Sequence, residues 1–340
     1  MSRFSPTLLS IRKLVVQYAR AGGRKAPLIA VRGVSLDIGT GEIFGLVGES
    51  GSGKTSLALS ILQLVPVFSG AVLYRDQDLA TAEAQALRTA RKSIQMIFQD
   101  PLAALSPRRT IQQSLLEPLA HFGIGKPAER LEQAIAALEH VGLDPALQGR
   151  YPHELSGGQR QRAALARALV SEPELIIADE PIASLDVSAQ ARIVDLMLDL
   201  RERLGVAFLF VSHDLAVVRQ VADTVGVMYL GTQVESASAD DLFEQPAHPY
   251  TRSLLSAVAV PDPGQPAPLV TAGEPGSVLT PPAGCVFHTR CPDRMPSCAS
   301  IEPAETWPQG LAVANSQTAQ YAHGEAATLQ RKVKCHLWNT

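Results

Sequence analysis

The chain has 340 residues, 46% of them apolar and 19% charged, with a formal net charge of −3. This is enough to build one large or two ordinary domains around a buried core, and it excludes a disordered chain. The charge balance gives no basic footprint for nucleic acid, and no apolar run reaches the roughly 18 residues of a membrane-spanning helix. The N-terminus, MSRFSPTLLSIRK, lacks the basic, apolar, small order of a secretory signal. A cytosolic chain with reduced thiols is therefore expected, with any membrane contact made through a partner.

Residues 8–18, LLSIRKLVVQY, alternate apolar and polar like a half-buried strand. A Gly/Arg/Lys-rich turn at ARAGGRKAP leads to a second strand-like run, IAVRGVSLDI. IFGLVG at 43–48 is an unbroken apolar run into glycine, the pattern of a buried strand in a parallel sheet, and TSLALSILQLV reads as a helix. Residues 69–79 read as strand, 81–91 as helix and SIQMIFQ as strand. From 110 to 171 the pattern is mostly helical and interrupts the alternation, which predicts a helical subdomain over about 101–171. LIIAD at 175–179, VAFLFVS at 206–212 and residues 224–230 read as strands, with an amphipathic helix at 188–204. A short helix and a final strand-like piece complete the series. Alternating strands and helices imply an α/β core with a mainly parallel sheet. After the helical HPYTRSLLSAV, seven prolines fall within 261–282, which predicts a boundary near 260 and a small C-terminal module beyond it.

GESGSGKT at 48–55 fits the phosphate-loop pattern between a strand and a helix. Gly48, Gly51 and Gly53 let the backbone turn its N–H groups toward phosphate, with Glu49, Ser50, Ser52 and Ser56 completing the loop and the start of its helix. Lys54 can reach the β- and γ-phosphates, and the Thr55 hydroxyl can ligate Mg²⁺. LIIADE at 175–180 ends a buried strand in two acids, at the sheet edge where ligands bind. Asp179 suits Mg²⁺, and Glu180 is placed to polarise an attacking water as general base. In ELSGGQRQR, Ser156 can cap a helix starting near Gly157, and Gly157 and Gly158 expose backbone N–H groups beside Gln159. That makes a second anion site in one chain. Alone, it could be an ordinary capped helix start.

The whole set occurs in order: Tyr18, the phosphate loop, Gln99 in FQDP, LSGGQ, LIIADE, ASLD at 183–186, and His213 after a strand. This order resembles the ATP-binding subunit of ABC transporters over about residues 8–260. The resemblance implies an α/β P-loop NTPase (RecA-like) core with an antiparallel β subdomain and a helical subdomain, followed by a small Cys-rich module over 261–340. It also implies a head-to-tail pair of ATPases, in which Ser156, Gly157, Gly158 and Gln159 contact ATP held by the partner's phosphate loop. Tyr18 would stack on adenine, and Gln99 would contact Mg²⁺ and the attacking water. Glu180 would be the base, Asp186 would bridge to the partner, and His213 would hold the γ-phosphate and order Glu180. ASLD exchanges two small residues of the commoner SALD.

HELSGGQRQRAALARAL, EPIASLDVSAQ, QPAHPYTRSLLSAV and the GCVFHTRCP tail resemble the ATPases of oligopeptide and dipeptide importers. Nickel or another small solute is the alternative cargo. Such an ATPase implies a second, paralogous ATPase subunit, two transmembrane permease subunits and, indirectly, an extracytoplasmic solute-binding protein. It places the chain peripherally on the cytoplasmic face of the inner membrane. IQMIFQDPLAALSPRRTI followed by EPL looks more like the second ATPase of such pairs. Two other classes remain: a soluble ABC ATPase outside transport, and a metal- or redox-sensing ATP switch. One phosphate loop, no long coiled-coil insertion and a full hydrolytic set argue against them.

The four cysteines, Cys285, Cys291, Cys298 and Cys335, all lie in the last 56 residues, spaced C-x5-C-x6-C-x36-C. Disulfides suit an extracellular scaffold, and structural Zn²⁺ usually takes C-x₂₋₄-C pairs, which are absent here. A [4Fe–4S] cluster takes four cysteines at wider, loop-borne spacing. The resemblance to importer tails, some of which hold such a cluster, selects iron–sulfur, with Zn²⁺ as the alternative. A metal would let this proline-rich stretch fold with little core of its own.

Overall fold

The computed structural model describes residues 6–19, 27–257, 276–308 and 331–338. The turn expected at ARAGGRKAP falls mostly on 20–26, and the proline-rich stretch falls partly on 261–275. Those parts lie outside the described residues.

β1 (Thr7–Tyr18) and β2 (Leu28–Gly39) pair antiparallel. β3 (Ile43–Val47) is buried at every position and runs into the phosphate loop, which opens α1 (Lys54–Ile61). β4 (Val67–Tyr74) and β5 (Gln77–Asp78) complete a four-stranded antiparallel sheet in the order β2-β1-β4-β5. α2 (Ala84–Ser93) leads to β6 (Ile94–Ile97). The expected helical block follows as α3 (Ile111–Phe122), α4 (Pro127–His140) and α5 (Gly157–Leu169). α3 starts at a Thr110–Gln113 capping box and α5 at a Ser156–Gln159 box, so each helix start is satisfied by its own polar residues.

β7 (Leu175–Asp179), α6 (Val187–Leu204), β8 (Ala207–Ser212), α7 (Leu215–Val221) and β9 (Thr224–Tyr229) continue the α/β alternation. β9, β3, β8, β7 and β6 lie side by side and parallel. Both faces of this sheet are covered, which explains the unbroken apolar runs. Side-chain period two then divides each strand between two cores. Phe208 and Phe210 face the core shared with the helical block, whereas Leu209 and Val211 face the core shared with α1 and the antiparallel sheet. Tyr74 donates to Glu174 at 2.6 Å and Arg75 grips the same carboxylate at 2.7 and 2.9 Å, tying the small sheet to the start of β7.

β10 (Thr232–Ser238) turns antiparallel on β9 and is followed by α8 (Ala239–Glu244) and α9 (Pro249–Ser256). The C-terminal residues then return to the ATPase. β11 (Glu305–Thr306) pairs with β12 (Lys332–Lys334), and β12 pairs with β10, which carries the main sheet out to eight strands. Cys285, Phe287 and Cys298 sit in the same core as the helical block. The short strand at 332–334 has no apolar alternation long enough to be seen in sequence. Its partner β10 supplies the pairing.

Candidate ATP site

The phosphate loop leaves β3 at the carboxyl edge of the parallel sheet. Gly48 (φ 152°) and Gly53 (φ 102°) are required by contact as well as by conformation. A Cβ on Gly48 would lie 2.1 Å from the Met228 carbonyl, and one on Gly53 would lie 2.3 Å from that of Ala30. The side chain of Lys54 is buried in the loop and donates to the carbonyls of Gly48 (2.8 Å) and Glu49 (3.0 Å) and to Ser52 Oγ (3.4 Å). Burial pushes its pKa down, and the carboxylates of Glu180, Asp179 and Glu49 oppose that shift.

Thr55 Oγ1 donates to Asp179 Oδ1 at 3.3 Å, so the two oxygen ligands expected for Mg²⁺ stand side by side. Burial raises the Asp179 pKa and the charge of Glu180 adds to this, while Thr55 and Lys54 act in the opposite sense. Two adjacent carboxylates with one hydroxyl, at a phosphate loop, form a donor set that fits a hard dication. ATP and Mg²⁺ thus fit the residues present.

Glu180 follows the last strand residue in a left-handed conformation, φ 48°, with its N–H donating to the Val211 carbonyl at 2.9 Å. A non-glycine residue there costs on the order of 1 kcal/mol or more, a strain typical of functional sites. The turn lifts the carboxylate clear of the strand and between two partners. Gln99 Nε2 donates to Glu180 Oε2 at 3.2 Å, and His213 Nδ1 lies 3.1 Å from Glu180 Oε1. Gln99 comes from the loop after β6 and His213 from the loop after β8, the two strands flanking β7. Three motifs scattered over 115 residues therefore converge because their strands are neighbours. Tyr18, at the end of β1, donates to Ser56 Oγ at 3.2 Å and so stands beside the first turn of α1. The loop residues Ser50 and Gly51 are exposed.

The LSGGQ residues stand apart. Ser156 Oγ accepts from the Gln159 N–H (3.3 Å), and Gln159 Oε1 accepts from the Ser156 N–H (2.9 Å). Among the described residues no hydrogen bond joins Ser156, Gly157, Gly158 or Gln159 to the phosphate loop of the same chain. Asp186 caps α6, accepting from the Ala189 N–H at 2.9 Å and the Ser188 hydroxyl at 2.7 Å.

All four cysteines are free thiols, with Cys285, Cys298 and Cys335 buried. Burial, and then the charge each would feel from the others as thiolates, push Cys335 up to about 12. Burial likewise raises Cys291 to about 11, with Asp293 and the other thiols contributing. The Cys285 thiol is raised for the same first reason. Among the described residues, however, no group of three or more His, Cys, Asp or Glu side chains is spaced to hold a single metal ion. Neither the expected iron–sulfur cluster nor the zinc alternative gains support from this geometry.

One contact to the phosphate loop was not visible in any motif. Arg290, beside Cys291, places Nη1 3.0 Å from both carboxylate oxygens of Glu49, and the Tyr250 hydroxyl accepts from the Glu49 N–H at 3.0 Å. In sequence, HPY and HTRCP carry no signal that they reach a loop some 200 residues earlier.

A phosphate loop, an acid pair on the adjacent strand and a capped glycine-rich helix start, on this sheet topology, define an ATP-binding cassette. Residues 31–183 match the family model described as ABC transporter, and residues 234–298 match the model described as oligopeptide/dipeptide transporter, C-terminal region. A peptide import ATP-binding protein of Brucella ovis is 50% identical over 297 residues, covering 87% of this chain and 93% of that protein. The oligopeptide transport ATP-binding protein AppF of Bacillus subtilis is 47% identical over 273 residues, 79% of this chain and 83% of its own length. Among solved structures, CbiO1 of Clostridium perfringens, part of the CbiONQ transporter complex, superposes with a TM-score of 0.61 at 26% identity. It covers 70% of this chain and 91% of that one. The dimeric cassette MJ0796 gives 0.61 at 26% identity, over 68% and 98%. The chain belongs to the family of ABC transporter ATP-binding proteins, in the group that carries the oligopeptide/dipeptide transporter C-terminal region.

Proposed function

We propose that the chain is the ATP-hydrolysing subunit of an importer for di- or oligopeptides, peripheral on the cytoplasmic face of the membrane. The observation that carries this reading is the pairing, on one chain, of a phosphate loop and the Glu180–Gln99–His213 cluster with the C-terminal region of peptide transporters. Names of the relatives at 44–50% identity support peptides over nickel as cargo. No helix among the described residues is long and apolar enough to cross a membrane, so passage of solute falls to permease subunits. Residues 8–260 form the ATPase unit in this reading, and 261–340 its C-terminal extension.

Lys54 leaves its loop carbonyls to hold the β- and γ-phosphates, and Tyr18 stacks on adenine. Thr55 and Asp179 hold Mg²⁺, with Gln99 beside them; when bound, the ion neutralises charge between the phosphate oxygens. Glu180 takes the proton of the attacking water. Its two oxygens are fixed by Gln99 and near His213, so the lone pair that receives the proton is oriented before ATP arrives. Ser156, Gly157, Gly158 and Gln159 face the γ-phosphate bound to a second ATPase subunit, which explains a helix N-terminus that does not reach its own phosphate loop. In this reading the four cysteines would hold a [4Fe–4S] cluster. Its support is the four free cysteines gathered in the C-terminal segment, while no group of three or more ligating side chains is placed on one ion among the described residues. Iron and acid-labile sulfide in anaerobically purified chain test that assignment, and their absence contradicts it.

The transport reading is tested by reconstituting the chain with the permeases that co-purify with it. MgATP-dependent uptake of labelled peptides, lost in Lys54→Ala, is expected. ATP hydrolysis with no co-purifying membrane subunit would favour the non-transport reading.

A further inference from the structure

The segment between Cys285 and Cys298 folds back onto the ATPase through two side chains. Phe287 is fully buried against the rings of Tyr229, Tyr250 and His248, with centroids 5.3, 5.3 and 5.8 Å away. Three residues on, the Arg290 side chain is only 10% exposed. Its guanidinium lies over the rings of Tyr229 and Phe287 at 5.8 and 5.9 Å and meets both oxygens of Glu49 at 3.0 Å. Glu49 is the second residue of the phosphate loop. Its N–H is taken by Tyr250 and its carbonyl by Lys54. The residue is therefore held at three points, two of them from beyond residue 249.

The charge matters as much as the clamp. Glu49 is one of the carboxylates acting on Lys54, so its charge is felt where the triphosphate must sit. An uncompensated carboxylate there repels ATP; one paired with a buried guanidinium does not.

We propose that Arg290 is a positioning residue of the ATP site: it neutralises and orients Glu49, and so makes the 285–298 loop a working part of the phosphate loop. This rests on the ATPase reading above. Arg290 does not touch the nucleotide; it acts through Glu49.

Steady-state ATP hydrolysis by the full-length chain in its transporter complex tests this. Arg290→Gln should raise KM for ATP about tenfold and leave kcat within about twofold, since the lost term is ground-state binding. Adding Glu49→Gln should bring KM back to within about threefold of the wild type, because the stranded charge is gone. A fold defect would lower kcat through the active fraction and would not be relieved by Glu49→Gln. An unchanged KM in Arg290→Gln, or a raised KM that persists in the double variant, overturns the proposal. If Arg290→Gln does not fold, Arg290→Lys keeps the charge but loses the planar guanidinium seated over Tyr229 and Phe287 that aims Nη1 at Glu49. A KM about threefold higher, relieved by Glu49→Gln, then supports the proposal, and a wild-type KM overturns it. Wild-type complex without MgATP turnover would instead contradict the ATPase reading.

Discussion

At the scale of single residues, the candidate site is a set of short contacts around one strained carboxylate. Glu180 sits at φ 48° with a hydrogen bond from Gln99 and a contact from His213. Removing Gln99 leaves the Glu180 side chain free to rotate. Gln99→Ala is therefore expected to lower kcat by roughly tenfold with little change in KM, measured as steady-state ATP turnover. An equal fall in affinity would mean that Gln99 acts chiefly in binding. The phosphate loop is intolerant for a different reason. Gly53→Ala drives a Cβ to 2.3 Å from the backbone of Ala30, so the loop itself must shift. ATP binding should be abolished, and the thermal unfolding midpoint should fall by a few degrees because the strain is built into the folded state. These residues were legible because phosphate chemistry needs particular types at fixed spacing. Arg290 was not, since an arginine beside a cysteine has many uses and its partner is 241 positions away.

At the scale of elements, the join between β10 and α9 shows how much stability a buried polar cluster carries. Glu235 on β10 is 1% exposed and accepts the N–H groups of Ala247 (2.8 Å) and His248 (2.9 Å) just before α9. Glu235→Ala strands both donors and should cost about 2–4 kcal/mol, read from urea unfolding. His248 accepts from the Tyr250 N–H at 3.0 Å, and burial, then Arg252, push its pKa down to about 3. The unfolded chain protonates this histidine near 6.5, and the folded chain does not until about 3. Its contribution is therefore whole above about pH 6.5 and is lost as pH falls toward 3. His248→Gln, which keeps an acceptor, should flatten the decline of stability over that window. Comparing the two chains also separates this effect from Glu235, whose burial-raised pKa acts in the opposite sense. The sequence showed HPYTRSLLSAV as a helix, but it could not show that β10 would supply the carboxylate for its start.

At the scale of the whole molecule, alternation of strands and helices was enough to read the parallel core, because each buried strand is a continuous apolar run. The C-terminal segment was less legible. Proline-rich composition suggested a module apart, yet β12 extends the ATPase sheet and Phe287 fills its core. Pairing with an existing edge needs no pattern of its own, so a three-residue strand escapes any periodicity test. Among the described residues no hydrogen bond joins the capped LSGGQ helix to its own phosphate loop, and in the function proposed above a second ATPase completes the site. Ser156→Ala should then cost about 1 kcal/mol through its cap and lower turnover of the assembled complex, while ATP affinity of the isolated chain is unchanged.

The central claim is that Glu180 is the base of a hydrolysing site. It is tested most directly by single-turnover ATP hydrolysis with Glu180→Gln in the assembled complex. Gln is isosteric and keeps an acceptor for Gln99, so ATP should still bind, while cleavage should fall by at least about a hundredfold. Cleavage at the wild-type rate with ATP bound would contradict the account.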